Sequence, residues 1–61
     1  MTIREKLQAI IENYINGNLS DCKIETKKLS VYEAMQLIQI WVVDYGADYD
    51  EAIENIKSLT A

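Results

Sequence analysis

VYEAMQLIQIWVVDY, residues 31–45, is the stretch whose reading decides the fold. It carries no charge between Glu33 and Asp44 and holds apolar side chains on more than one side of a helix. On a wheel at about 100° per residue, Val31, Ala34, Met35, Ile38, Trp41, Val42 and Tyr45 share one broad face. Leu37, Ile40 and Val43 fall away from it, among Tyr32, Glu33, Gln36, Gln39 and Asp44. The broad face reads as core. The second, mixed stripe needs another element or another chain to cover it.

The flanks supply punctuation for this helix. Ser30-Val31-Tyr32-Glu33 fits a capping box at its start, and Gly46 closes it. Upstream, Thr2-Ile3-Arg4-Glu5 fits a second box. Ile3, Leu7, Ile10, Ile11, Tyr14 and Ile15 then follow at the spacing of one helical stripe, which ends at Asn16-Gly17. Downstream, Asp48-Tyr49-Asp50-Glu51 opens another helix in the same style, with a stripe of Tyr49, Ala52, Ile53, Ile56 and Leu59. Its three acidic groups suit the positive end of the helix dipole.

Between the first two helices, residues 18–29 lose the helical period. Cys22, Ile24 and Thr26 alternate with Lys23, Glu25 and Lys27, as in a strand. A single short strand has no internal partner, so an extended crossover pinned by Leu19, Ile24 and Leu29 is favoured. The alternative is an edge that pairs with the same segment of a second subunit. The expected architecture is therefore all-α, with three helices at about 3–16, 31–45 and 49–59 and an irregular or short extended crossover at 18–29. With 61 residues, one domain, 1–61, is expected, and no internal repeat is visible.

Composition narrows the function. The hydrophobic fraction of 49% and charged fraction of 26% are those of a globular chain. The single cysteine, Cys22, excludes an internal disulfide, and no leader-like segment opens the chain, so a cytoplasmic setting is expected. Ala34 to Val43 is far shorter than the roughly 20 apolar residues of a membrane span, so no membrane role is expected. The net charge of −4 is uneven: residues 1–30 balance at +1 and residues 31–61 at −5. The acidic half repels nucleic acid and attracts a basic protein surface. Lys23, Lys27 and Lys28 are too few to track phosphates, and a helix-turn-helix is disfavoured because its recognition helix would begin acidic.

Catalysis and metal binding have little to work with. The chain has no His, no Gly-rich phosphate loop and no partner for Cys22. A calcium loop counted from Asp44 meets Tyr49 at its sixth position and Asn55 at its twelfth, where Gly and Glu are needed. No enzyme activity, metal or cofactor is expected, and no motif is specific enough to name a family.

The reading is a small acidic protein-interaction module, homodimeric, that inhibits or adapts a larger protein by occupying its surface. That larger protein could be one that handles nucleic acid through a basic groove. Size and charge are also those of small chains encoded by phages or mobile elements. The expected contacts are Tyr32, Gln36, Ile40 and Val43 on the mixed stripe and Asp44, Asp48, Asp50 and Glu51 in the acidic run. The alternative is a self-assembling structural protein whose acidic surface only keeps it soluble.

Overall fold

Four helices, not three, make up the computed structural model, which describes residues 2–61. They are α1 (Ile3–Ile15), α2 (Leu19–Lys27), α3 (Val31–Tyr45) and α4 (Tyr49–Thr60), and each link between them is three residues long. The all-α class holds, and among the described residues there is no strand. In space the helices form a ring in the order α1, α2, α4, α3, with α3 closing back onto α1.

The expected crossover at 18–29 is the site of the main correction. Leu19–Lys27 is a helix that buries Cys22 and Thr26, four residues apart and so on one face. Ile24, which completed the strand-like alternation, points the other way and is 53% exposed. A nine-residue helix is not stable on propensity alone, so this one depends on packing between α1 and α4. Its small buried face permits a close approach. The Cys22 thiol donates to the Ile10 carbonyl of α1 at 3.3 Å, and the Thr26 hydroxyl donates back to the Cys22 carbonyl at 2.6 Å. The edge strand considered for intermolecular pairing is therefore absent, and the pairing with it.

Helix boundaries follow the local chemistry. At α1 the Glu5 N–H donates to the Thr2 hydroxyl at 3.2 Å. At its other end Gly17 takes φ +82°, and the Asn18 and Gly17 N–H groups donate to the Asn13 and Tyr14 carbonyls, a Schellman ending. The box at α3 is complete: the Glu33 N–H donates to Ser30 Oγ at 3.2 Å, and the Ser30 N–H donates to the Glu33 carboxylate at 2.9 Å. Gly46 ends α3 at φ +72°. Asp48 has the extended backbone of an N-cap, but its carboxylate makes no capping hydrogen bond, so α4 lacks the box expected there.

All four helices contribute to one core of Leu7, Ile10, Ile11, Cys22, Leu37, Ile40, Trp41, Ala52 and Leu59. The rings of Tyr14 and Trp41 meet edge to face with centroids 5.2 Å apart, and the Tyr14 hydroxyl donates to Asn55 Oδ1 at 3.1 Å. That residue thus ties α1 to both α3 and α4. The buried side of α3 is centred on Leu37 and Trp41, rotated from the face expected to be core. Val31 and Met35 are exposed, and Leu37 and Ile40 are buried. The rotation follows from α1 and α4 both leaning on the Leu37–Trp41 side, a choice the wheel does not contain.

Candidate outer face of helix α3

Rotating the buried side of α3 turns another face outward, and its composition is unusual for a solvated helix. Val31, Tyr32, Met35, Gln36, Gln39, Val42 and Val43 occupy an arc of about 140° that includes no charged residue. Val31 is 80% exposed and Val43 78%, and Tyr32 and Met35 are exposed nearly as much. Tyr49, from the first turn of α4, adds an exposed ring beside them. The Gln36 amide donates to the Tyr32 hydroxyl at 3.0 Å, which fixes two of the polar groups on this face against each other.

Two hollows flank Gln39. The larger, about 260 Å³ and open, is lined by Arg4, Gln36, Gln39, Ile40, Val43 and Asp44. The smaller, about 90 Å³, lies among Met35, Ile38, Gln39 and Tyr49. Four of the expected contact residues, Gln36, Ile40, Val43 and Asp44, therefore meet at one groove, and Tyr32 bonds to its rim. Ile40 is a correction to that set. At 6% exposed it belongs to the core and supplies the groove floor, so it supports the surface and offers little of its own.

The acidic run separates into two parts. Asp44 accepts from the Arg4 guanidinium and, at 3.2 Å, from the Gln8 amide, so much of its charge is answered within the molecule. Arg4 and Gln8 lie one turn apart on α1, and nothing local in the sequence marks either as a partner of Asp44. A pairing across 40 residues leaves no local signal. Beside it, the Tyr45 hydroxyl donates to Glu12 at 2.9 Å, and burial together with that carboxylate and Asp44 pushes the phenol above its ordinary value of 10.0. Asp48, Asp50 and Glu51 are exposed, and none has a salt-bridge partner among the described residues. They remain a free negative edge next to Tyr49.

The basic residues of α2 and its link do not gather into a cationic face. Lys28 reaches Glu25 at 3.6 Å, and Lys23 and Lys27 are solvated. Among the described residues, no three acidic or cysteine side chains come together as a metal site, and no helix is long and apolar enough to cross a membrane. Cys22 is fully buried, and burial raises its thiol above 9.0, so little thiolate is present at neutral pH.

The outer face of α3 is uncharged along its length. It offers aliphatic and aromatic groups interspersed with uncharged amides, the mixture found at the centre of protein interfaces, with a negative edge at one end. Comparison with protein-family models, curated proteins and solved structures gives no match.

Proposed function

We propose that this chain is a non-enzymatic protein-interaction module whose working surface is the outer face of α3, oriented by the acidic start of α4. One observation carries the reading. The core is complete on the Leu37–Trp41 side, yet α3 keeps Val31, Tyr32, Met35 and Val43 in solvent, where folding does not require them. A helix that served only as scaffold would carry charge on that side, as α1 and α4 do on theirs. Exposed apolar groups set around a groove are what an interface uses as anchors.

The free carboxylates of Asp48, Asp50 and Glu51 suit a basic surface on a larger protein, and their main effect would be on encounter rate and orientation. In that role the chain acts sterically, as an inhibitor or adaptor, by covering what it binds.

The experiment is capture of partners with the tagged chain from the cells that encode it, compared with V43E and with a D48K/D50K double variant. The bound protein should be lost with V43E. With the double variant it should bind more weakly, and lower salt should strengthen wild-type capture. A partner retained by both variants, with no salt dependence, overturns the assignment of this surface.

A further inference from the structure

We infer that a second copy of this chain covers the outer face of α3, antiparallel about a twofold axis near the middle of the helix. The inference rests on the α3 reading above and names what covers that face while the larger partner is absent.

Charge limits what can sit on this face. A partner helix that brought an ion onto it would bury that ion without a counter-charge, at a large desolvation penalty. Within this acidic molecule the other helices carry charges on their exposed sides: Glu5 and Glu12 on α1, Lys23 and Lys27 on α2, and Asp50, Glu51 and Glu54 on α4. The outer face of α3 has none. Two copies can therefore meet on it without placing like charges together.

Direction follows from the ends of the helix. Lys27 and Lys28 precede α3, and Asp48, Asp50 and Glu51 follow it. The positive end of the helix dipole coincides with the lysines and the negative end with the carboxylates. Parallel docking would stack like on like at both ends. Antiparallel docking sets each basic end beside the partner's acidic end, and a twofold arrangement closes on itself without further growth.

Register follows from shape. An axis between residues 37 and 38 places Tyr32 opposite the partner's Val43. The partner's Met35 then lies over the groove floored by Ile40, and Gln36 lies opposite the partner's Gln39. Tyr32 thus meets an aliphatic neighbour and Met35 a hollow, and the two central amides can bond to each other. The α3 helix, about 22 Å long at 1.5 Å per residue, runs the full width of a molecule measuring 25 × 24 × 22 Å. A small stable interface takes about 600 Å² from each copy. That is roughly one-seventh of the 4019 Å² surface.

Sedimentation across a dilution series at physiological salt reads the outcome, with wild type beside M35E, V43E and I24E. Wild type should sediment as a dimer of the 7.0 kDa chain and dissociate on dilution. M35E and V43E should raise the dissociation constant about a hundredfold or more while keeping the helical circular dichroism, since both side chains already face solvent. I24E, which alters an exposed apolar residue on α2, should dimerise as wild type does. Direction is read by disulfide trapping in a C22A background. Mixed Y32C and V43C chains should give the 32–43 cross-link in preference to 32–32. Preferential 32–32 linkage overturns the antiparallel arrangement, and a dimer that persists in both M35E and V43E overturns the surface. A wild type that stays monomeric throughout overturns the second copy as occupant. In that case the α3 reading stands if V43E loses the captured partner, and falls if it does not.

Discussion

At the scale of single residues, Cys22 shows how far a local pattern can mislead. Cys22, Ile24 and Thr26 alternate with charged residues as a strand would. The burial is real and its cause is helical: Cys22 and Thr26 are the only side chains α2 buries fully, and they are small enough to bring its backbone against α1. A buried thiol whose titration is raised by desolvation should be slow toward thiol reagents. In the native protein at pH 8, labelling of Cys22 by a disulfide reagent should be at least about tenfold slower than in the same protein in denaturant. Rapid native labelling would mean that α2 leaves the core on its own, and that the nine-residue helix is an opening segment.

At the scale of elements, the helices that announced themselves did so through their ends. Ser30 with Glu33, and Thr2 with Glu5, are legible because a cap is a contact over three residues, which a sequence states directly. The start of α2 has no such device, since the Asn18 side chain makes no capping bond, and its apolar positions are too few to establish a period. The outward turn of Val31 and Met35 was hidden for a related reason. A helix with apolar residues on two sides does not say which side its neighbours will choose, and only the packing of α1 and α4 decides. The same division holds for the candidate site: the uncharged stripe of Tyr32, Gln36 and Val43 is legible in composition, but the pairing of Asp44 with Arg4 and Gln8 is not. The α3 box is also where pH enters. The Ser30 N–H, and then the Lys6 ammonium 3.7 Å away, hold the Glu33 carboxyl below its ordinary value of 4.5. A carboxyl depressed by folding adds stability that is complete above 4.5 and is lost as pH falls through the lower folded value. E33Q should therefore be less stable than wild type in urea at pH 7, and the difference should shrink toward nothing in acid below 4.5. S30A should cost about 1 kcal/mol at neutral pH. A gap between E33Q and wild type that is the same at both pH values would show that the charge of Glu33 does not contribute.

At the scale of the whole molecule, the decisive question is whether four short helices unfold together. Leu59 bears on it most directly, because it lies in the last turn of α4, where fraying is the ordinary expectation, and yet is 1% exposed. It belongs to the same cluster as Trp41, Leu7 and Cys22, so α4 cannot release it without opening a cavity shared with the other three helices. Removing a buried Leu side chain costs about 2–5 kcal/mol, and a chain of this size rarely has more than about 3–5 kcal/mol in all. L59A should then lose most of the total stability. Its thermal midpoint should fall by roughly 10–40 °C, given about 4–8 °C per kcal/mol for a domain of this length. Trp41, the only tryptophan, is nearly buried on α3 and reports on a different helix from the one mutated. If the core is one unit, its emission should shift at the same temperature as the far-ultraviolet circular dichroism, in wild type and in L59A alike. If Trp41 emission holds its wild-type midpoint in L59A while helicity declines earlier, α4 frays alone and the four helices are not one cooperative structure.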